Sequence, residues 1–342
     1  MGIKNLHKTL LHLFIKKNLK DYSGYKIGID GYCWLHKSIF CDNMDLATNP
    51  ESKSYLYFIK AKVQNLLNHN IKPIFIFDGN KLPIKNKEES YREYKRLQKV
   101  EQAKKLFEQG KEDQAKNILI SSIDITPNMV KQLTNILTSM NVEFIVAPYE
   151  ADAQLAYLDY IHYIDAIITE DSDLIAYGCK KLLYKLDNNN NCMEINYNDI
   201  FTFKPQNKKI LDFTEFTHEM FLQFCILSGC DYFKANNIGN KKAHYFISKY
   251  GSFNLAKPNM NPKKYNLPEG IELQFEKAYL TFLFQVVYCP INKKMLHLNN
   301  HYFNEICSNY SFFSFLGIIK DDNIAESIAT AKINPITLDI LI

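Results

Sequence analysis

The chain has 342 residues, of which 46% are hydrophobic, and a formal net charge of only +4. This apolar content is enough for a large core, in one large domain or in two coupled ones. The small net charge excludes a polycation, so any surface for nucleic acid must come from local clusters of basic residues. No apolar run approaches the roughly 18 residues of a membrane span, and we expect no membrane partner. The eight cysteines form no C-x-x-C pair and are interpreted as reduced, mostly buried thiols of an intracellular protein.

Hydrophobic periodicity predicts an α/β fold. Residues 3–17 carry apolar side chains at helical spacing and predict an amphipathic helix. Further along, short apolar runs that predict strands alternate with helical patterns, which indicates a mainly parallel central sheet flanked by helices. The predicted strands are 25–30, 72–77, 144–147, 166–169 and 182–185, and the predicted helices between them are 54–68, 128–140 and 149–162.

Acidic residues stand at the ends of these predicted strands. Asp30, Asp78 and Asp171 each close a strand at its carboxyl end. In open α/β sheets the functional crevice lies at that edge. Each acid by itself can be a cap or a turn residue, but their arrival at one edge by independent routes favours a common site.

Two acidic pairs strengthen this interpretation. Glu150 and Asp152 follow Pro148 at a predicted helix start, and their convergence requires an irregular first turn. Asp171 and Asp173 share one face if the strand runs on. Several carboxylates in one site repel each other and need a cation, and ligands that are all oxygen favour Mg²⁺ or Mn²⁺.

A basic segment follows the second strand. Lys85, Arg92, Arg96 and Lys99 fall within an arc of about 60° if residues 81–105 are helical. Such a stripe is either a solvated charged face or a helical protrusion that neutralises phosphate. The length of the segment favours a functional insertion.

A predicted helix at 217–229 leads into a glycine turn and a second helix that runs to about residue 250. Asp231 follows the first helix, and Lys241 and Lys242 stand at the start of the second. This arrangement is either an ordinary helical hairpin or a phosphate cradle with free N–H groups and a positive dipole end. From residue 291 onward the sequence predicts apolar packing onto the body and no site. Residues 190–215 are rich in Asn and Lys and are interpreted as a surface insertion.

At this point the motifs resemble those of the flap endonuclease superfamily of structure-specific 5′ nucleases, most of all its eukaryotic exonuclease 1 branch. They occur in the family's order and spacing, from the first residue to about residue 290. The segments that carry the resemblance are 1–3, 29–37, 71–79, 147–157, 168–174, 225–232 and 238–239.

The resemblance implies a nuclease core with five regions. These are an N-terminal nuclease region over 1–100, a helical arch or gateway over 80–128, an internal nuclease region over 129–235, a helix–two-turn–helix DNA-binding region over 217–290 and a C-terminal segment over 291–342 that wraps back.

The resemblance also assigns roles to single residues. Seven carboxylates match the family's ligands for two Mg²⁺ ions, for which Mn²⁺ can substitute. Lys85 and Arg92 match gateway residues that approach the scissile phosphate and count among the catalytic residues. The seven acids are Asp30, Asp78, Glu150, Asp152, Asp171, Asp173 and Asp231.

Further residues match the family's DNA contacts. Tyr32 and His36 match residues that face the unpaired end of a duplex, and Gly2 matches an amino terminus near the site. The other implied DNA contacts are Lys85, Arg92, Arg96, Gly239, Lys241 and Lys242.

The helix–two-turn–helix element of the family also holds K⁺ with backbone carbonyls. Here Asn237 stands where the family has glycine, and the preceding loop is one residue shorter. Asparagine tolerates the left-handed conformation, so we expect the turn to persist.

The leading hypothesis is therefore a metal-dependent 5′→3′ double-stranded DNA exonuclease with 5′-flap endonuclease activity in DNA repair. The resemblance implies a nuclear monomer that acts on duplexes with a recessed 5′ end, nick, gap or flap. Partner proteins would bind a tail beyond the core. The alternatives are a replication nuclease of the flap endonuclease type, a ribonuclease with a similar acidic site and a catalytically silent DNA-binding paralogue.

Overall fold

A computed structural model describes residues 2–41, 52–265, 267–306 and 310–341. Its centre is a mixed sheet of seven strands in the order β1-β7-β6-β5-β2-β3-β4. Helices flank this sheet, as the sequence predicts. The seven strands are β1 (Ile15–Asn18), β2 (Lys26–Asp30), β3 (Lys72–Phe77), β4 (Glu143–Val146), β5 (Ala166–Ile168), β6 (Lys181–Tyr184) and β7 (Asn191–Asn196).

The topology of the sheet reverses beside β2. Strands β2, β3 and β4 follow one another outward in parallel, and the chain then returns to place β5 on the other side of β2. Strand β6 continues in parallel, whereas β7 and β1 are antiparallel to their neighbours. A reversal of this kind opens a crevice at the carboxyl ends of the strands, here between β2 and β5.

The helices form where the sequence supplies both an apolar face and a local start signal. Thr126 caps one helix through its side chain, with Pro127 as the first helical residue, and Thr217 caps another. The predicted helices at 54–68, 128–140, 149–162 and 217–229 are present within two residues of their expected ends. The helices are α1 (Leu6–Thr9), α2 (Gly31–Cys41), α3 (Ser54–Asn68), α4 (Asn86–Glu108), α5 (Glu112–Ile120), α6 (Pro127–Ser139), α7 (Ala151–Tyr160), α8 (Asp173–Ala176), α9 (Asp199–Thr202), α10 (His218–Ser228), α11 (Asn240–Tyr250), α12 (Phe253–Ala256), α13 (Pro262–Tyr265), α14 (Ile271–Phe284), α15 (Asn300–Ile306) and α16 (Asp322–Ala329).

The prediction of one amphipathic helix over residues 3–17 is wrong. The chain forms only α1 and a 3₁₀ turn at Leu11–Leu13 before it enters β1. The apolar side chains at helical spacing still reach the core, since Leu6 and Leu10 are fully buried. The backbone after Leu13, however, gains more from pairing with β7 than from a further helical turn, because an edge of the sheet is open to it.

The interpretation of residues 190–215 as a surface insertion is wrong for its first part. Strand β7 lies between β1 and β6 in the central sheet, with Cys192 and Ile195 buried. The asparagine-rich composition hides this strand, because its apolar residues are few and one of its two partners, β1, is distant in sequence. Residues 206–209, further along, are exposed as predicted.

The C-terminal part packs back onto the body. Strands β8 (Val286–Cys289) and β9 (Lys294–His297) form a separate two-stranded sheet. Phe303, Phe315 and Leu316 form a small second core together with Phe284 of α14. The predicted packing of this region is therefore confirmed for the described side chains, whereas that of Phe312 lies outside them.

Two further observations concern the cysteines and the lengths of the helices. The six cysteines whose side chains the structure describes are buried, as predicted, and each is a free thiol. Among the described helices, none combines the length and the apolar character needed to cross a bilayer.

The position of β7 leads to a stability prediction. Tyr22 donates a hydrogen bond of 2.8 Å to the buried Glu194 of β7. Tyr22→Phe leaves that carboxylate without this donor, so the free energy of unfolding should fall by about 1–3 kcal/mol in urea denaturation. Tyr57→Phe is the matched control, since Tyr57 is 75% exposed, and it should change little. Equal stability of both variants would contradict the burial of β7 in the sheet.

Candidate metal centre and its basic neighbours

Asp30 is held at the end of β2 by two donors. The backbone N–H of Cys33 donates to Asp30 Oδ1 at 3.0 Å, and the Thr169 hydroxyl donates to Asp30 Oδ2 at 3.2 Å. Thr169 directly follows β5, so this contact joins the two strands that flank the crevice. The side chain is buried. The predicted position of Asp30 at the carboxyl edge is confirmed.

Asp78 follows β3 and faces the start of α7. Its Oδ1 accepts a hydrogen bond of 2.6 Å from the backbone N–H of Ala151. Burial raises the pKa of Asp78 to about 7, and Asp30 and Glu150 add to the effect. The neighbouring Gly79 has no room for a side chain, because a Cβ there would overlap the carbonyl oxygen of Ala147. A glycine at this position therefore lets the ends of β3 and β4 approach closely.

Glu150 and Asp152 diverge at the start of α7. Glu150 is the N-cap residue and has extended backbone, whereas Asp152 lies in the first helical turn. The expected convergence of the pair through an irregular first turn is therefore not found. Asp152 lies with Asp171 and Asp173, whereas Glu150 lies beside Lys85.

The prediction that Asp171 and Asp173 share the face of a continuing strand is wrong. Strand β5 ends at Ile168, and Asp173 is the first residue of α8. The turn is held by hydrogen bonds from the Asp171 N–H to Thr169 Oγ1 at 2.9 Å and from the Asp173 N–H to Asp171 Oδ1 at 3.0 Å. The two carboxylates converge nevertheless, because this turn folds over the end of the strand.

Asp152, Asp171 and Asp173 form the tightest acidic group among the described residues. One carboxylate oxygen from each lies within 4.8 Å of the others. Burial raises the pKa of all three carboxyls. Repulsion from Asp171 adds to this effect for Asp152 and Asp173, and repulsion from Asp30 adds to it for Asp171. Asp173 Oδ1 is buried and has no hydrogen-bond partner. An orphaned carboxylate oxygen in an all-oxygen cluster fits a divalent cation such as Mg²⁺ or Mn²⁺.

Glu150 and Asp231 form the second part of the acidic edge, and cationic side chains of the chain itself bridge them. Lys85 Nζ contacts Glu150 and lies 3.1 Å from Asp231 Oδ2. Arg92 donates to the same Asp231 oxygen at 2.6 Å. Burial would lower the Lys85 pKa, but the two carboxylates outweigh it and raise that pKa well above its usual range. Burial would likewise raise the Asp231 pKa, but Lys85 and Arg92 hold it below its usual value.

Each of the four residues of the predicted basic stripe has a partner within the chain. Lys85 lies in a 3₁₀ turn just before α4, and Arg92, Arg96 and Lys99 lie on α4 itself. Arg96 pairs with Asp124 at 3.0 Å, and Lys99 donates to the backbone carbonyl of Ser121. The helix has almost no core face, since Ala103 is its one buried residue in the described part. The stripe thus runs from the acids outward along an exposed helix.

The other DNA contacts predicted for this region lie in different surroundings. They are Tyr32, Arg96, Gly2 and His36. Tyr32 and Arg96 line a cavity of about 340 Å³ that Asp78 and Glu150 also line. Gly2 adjoins the metal cluster, because a Cβ there would overlap the Asp171 carboxylate. His36 is half-buried on α2, where burial lowers its pKa.

The glycine turn near α11 lies apart from the acidic edge. Asn237 has a φ of 60°, which confirms that asparagine adopts the left-handed conformation here. Gly239 caps α11, and Lys241 lines a separate cleft with Lys8 and Lys209. Lys242 donates a hydrogen bond of 2.7 Å to the Asn237 carbonyl. The Asn237 carbonyl thus accepts a hydrogen bond from an ammonium group, and the implied K⁺ ion at this turn stays a prediction.

Sequence reasoning missed several side chains of the site. Tyr232 and Gln285 both donate to Glu150, the latter at 3.0 Å. The position of Tyr232 next to Asp231 could have indicated it, but no sequence signal marks Gln285. The sequence predicts no site beyond residue 291, although Ile333, Ile336 and other C-terminal residues line the 340 Å³ cavity.

Comparison with known families agrees with this geometry. The family model for the XPG N-terminal domain matches residues 1–99, and that for the XPG I-region matches residues 141–231. These two stretches contain all seven acids that the structure gathers at the sheet edge.

Relatives match almost the whole chain. It is 36% identical over 339 residues to exodeoxyribonuclease 1 of Schizosaccharomyces pombe, which covers 98% of this chain and 58% of the relative. It is 33% identical to exonuclease 1 of Arabidopsis thaliana, of which it covers 45%. The DNA damage-inducible protein DIN7 of Saccharomyces cerevisiae is 33% identical, with 88% of this chain and 69% of that protein covered. The chain thus spans about half the length of the first two.

Solved structures share the fold at low identity. The catalytic core of Rad2 in complex with a DNA substrate matches with a TM-score of 0.56 and 21% identity, over 82% of this chain and 81% of that one. Flap endonuclease-1 from Methanococcus jannaschii matches with a TM-score of 0.54 and 20% identity, over 80% and 83%. From its motifs, its fold and these matches, the chain belongs to the XPG family of nucleases, as the exonuclease 1 proteins do.

Proposed function

We propose that this chain is a metal-dependent 5′→3′ double-stranded DNA exonuclease with 5′-flap endonuclease activity. The observation that carries this proposal is the buried carboxylate cluster of Asp152, Asp171 and Asp173, with its unpartnered oxygen, beside a basic helix. The exonuclease names of the relatives support the activity, and the Rad2 complexes with DNA support the substrate class. DNA repair (mismatch repair, end resection and recombination) in the nucleus is the proposed setting.

The seven acids are the proposed ligands of two Mg²⁺ ions. Asp152, Asp171 and Asp173 would hold one ion directly, since their oxygens already lie together. Asp30, Asp78, Glu150 and Asp231 complete the acidic edge around it. When bound, two such cations stabilise the attacking and leaving oxygens of an in-line phosphodiester hydrolysis.

Lys85 and Arg92 are the proposed phosphate contacts nearest the acids. Burial would lower the pKa of both groups, but nearby carboxylates outweigh it, and so the pKa of both is raised. These are first Glu150 and then Asp231 for Lys85, and first Asp231 for Arg92. Lys85 and Arg92 now neutralise Glu150 and Asp231, and a phosphodiester that enters the crevice offers them a competing anion. Arg92 presents a planar fork that matches two phosphate oxygens, whereas Lys85 acts as a point charge.

The proposed DNA path leads from the acids to the glycine turn. Tyr32 faces the cavity beside Asp78 and would stack on an unpaired base, with His36 on the same helix. Gly2 keeps the amino terminus against the acidic cluster. Arg96, farther along α4, would contact the backbone of the strand.

The duplex itself is the proposed ligand of the turn before α11. Gly239 begins this helix, and the free N–H groups of its first turn favour a phosphate. Lys241 and Lys242 add positive charge beside them. The proposed substrates are duplexes with a recessed 5′ end, a nick, a gap or a flap, bound by a monomer. Repair-protein partners would bind outside this core.

A substrate panel tests the proposed function. The chain is incubated with 5′-recessed DNA, 5′-flapped DNA and single-stranded and duplex RNA, each with Mg²⁺ and with EDTA. We expect cleavage of the two DNA substrates with Mg²⁺, and none with EDTA, because the acids then lack a counter-cation. Cleavage of RNA alone would support a ribonuclease instead. Binding without cleavage in Mg²⁺ would support a silent paralogue.

Substitution of one metal ligand tests the cluster. Asp173→Asn should lower kcat by a factor of about 100 or more, while DNA binding stays equal or tightens, because one repulsive charge is lost. Thermal stabilisation by Mg²⁺ should disappear as well, which provides a readout apart from activity. Asp113→Asn, an exposed acid on α5, is the control and should behave as wild type. Retention of more than a tenth of the wild-type kcat would contradict the assignment.

The basic pair is tested by Lys85→Ala combined with Arg92→Ala. We expect kcat to fall by about 100-fold, because charge stabilisation at the reacting phosphate is lost, whereas the Kd for duplex DNA rises only modestly. Lys105→Ala on the same helix is the control, since Lys105 is exposed and pairs with Glu101. The melting temperature is recorded for each variant, because Glu150 and Asp231 lose their partners. An equal loss in kcat and in affinity would indicate that both residues only bind phosphate.

A further inference from the structure

Gln285 lies outside the two stretches that the XPG family models match, yet its side chain reaches the acidic edge. It follows α14 directly and precedes β8, and it is fully buried. Its backbone is bonded on both sides, because its N–H donates to the Thr281 carbonyl at 3.2 Å and its carbonyl accepts from the Leu298 N–H at 3.0 Å. The carboxamide therefore projects from a hydrogen-bonded corner between a helix and a strand.

The carboxamide of Gln285 holds Glu150 at two points. Its Oε1 accepts a hydrogen bond of 3.2 Å from the Glu150 backbone N–H, and its Nε2 donates to Glu150 Oε2 at 3.0 Å. One amide group thus joins the backbone and the carboxylate of the same residue, which restricts the side-chain torsions of Glu150. This double contact requires a donor and an acceptor in one side chain, and glutamine supplies both.

Two tyrosines at the end of α14 support the same oxygen. Tyr232 donates to Glu150 Oε2, and its hydroxyl lies 3.4 Å from that of Tyr177. Burial raises the pKa of both hydroxyls well above the usual value, so they stay neutral. Phe282, one turn before Gln285, packs against the two tyrosine rings at centroid distances of 4.8 and 5.2 Å. Neutral donors therefore hold Glu150 Oε2 from one side.

The other oxygen of Glu150 has a charged partner. Oε1 accepts from the Lys85 ammonium, which also lies 3.1 Å from Asp231 Oδ2. Burial raises the pKa of Asp78 and Asp173, and the charge of Glu150 is among those that add to the effect. These acids repel Glu150, so a side chain with free torsions would turn away from them. Under the proposed function Lys85 turns to the substrate phosphate, and Oε1 is then the oxygen left for a cation.

We propose that Gln285 is a positioning residue of the metal centre, which fixes the Glu150 carboxylate so that Oε1 faces Lys85 and can take part in binding a divalent cation. This inference rests on the proposed function, because that function counts Glu150 among the metal ligands. Partners that orient a metal ligand contribute a factor of about 10–100 in metal affinity. The inference gives the end of α14 a role in the chemistry of the acidic edge.

The test replaces Gln285 by methionine, which has a similar length but lacks the amide donor and the carbonyl acceptor. Mn²⁺ is titrated into the chain without DNA, and free Mn²⁺ is measured by electron paramagnetic resonance. Gln285→Met should raise the Kd of one Mn²⁺ ion about tenfold, because Glu150 is no longer held. With 5′-recessed DNA, the Mg²⁺ concentration for half-maximal cleavage should rise similarly, whereas the KM for DNA should change by less than about twofold, since the phosphate contacts remain.

Gln223→Met is the matched control, because Gln223 is another buried glutamine that joins a carboxylate to a backbone N–H. It donates to Glu219 at 3.1 Å and accepts from the Phe253 N–H at 2.8 Å, and Glu219 is not one of the seven acids. Thermal melting should show a loss of stability in this control and in Gln285→Met, because each loses two hydrogen bonds. The control should nevertheless keep the wild-type Kd for Mn²⁺.

Tyr232→Phe is a smaller change at the same carboxylate, since it removes the other donor to Glu150 Oε2 and keeps the ring. It should also raise the Kd for Mn²⁺. An unchanged Kd in Gln285→Met would overturn the inference, as would an equal rise in Gln223→Met or, where Gln285→Met does not fold, an unchanged Kd in Tyr232→Phe. Mn²⁺ binding by a wild-type chain that cleaves no DNA would overturn the proposed function alone, and the titration would still decide the role of Gln285.

Discussion

The repulsion among buried carboxylates is the constraint on which the site depends. Two like charges about 4 Å apart cost roughly 4 kcal/mol at an effective dielectric near 20, and this edge holds seven acids. The chain neutralises part of them itself, since the Lys85 ammonium lies between Glu150 and Asp231. No such cation reaches Asp173 Oδ1, which is buried without a partner. The acidic edge is thus divided into a part that the protein itself neutralises and a part whose unpartnered oxygen fits a cation from solution.

This division links the basic helix to the acidic edge. Arg92 of α4 contacts Asp231 after α10, although 139 residues separate them. The start of α4 is therefore tied to the site by charge rather than by apolar packing. Under the proposed function, a substrate phosphate replaces these carboxylates as the partner of Arg92, and this exchange exposes no apolar core. An apolar interface at this place would not allow that exchange.

Close backbone approach makes the convergence of the acids possible. The topological reversal beside β2 brings Asp30 and the turn after β5 together, and Thr169 bonds across them. Gly79 and Gly2 occupy positions where a Cβ would overlap a carbonyl or a carboxylate. Ile333, Pro335 and Ile336 line the 340 Å³ cavity together with Tyr32 and Asp78, so segments far apart in sequence border one crevice.

Local sequence patterns were sufficient to predict much of this fold. Apolar runs gave the five parallel strands, and acids at their carboxyl ends gave the edge where the site lies, because parallel strands share that edge. Strands β1 and β7 escaped prediction, since their pairing joins segments about 175 residues apart and their composition is polar. The sequence also could not predict the turn that unites Asp171 with Asp173, the contacts of Gln285 or the position of Ile336. Each depends on which distant segment the folded chain brings near, and the local sequence does not specify that segment.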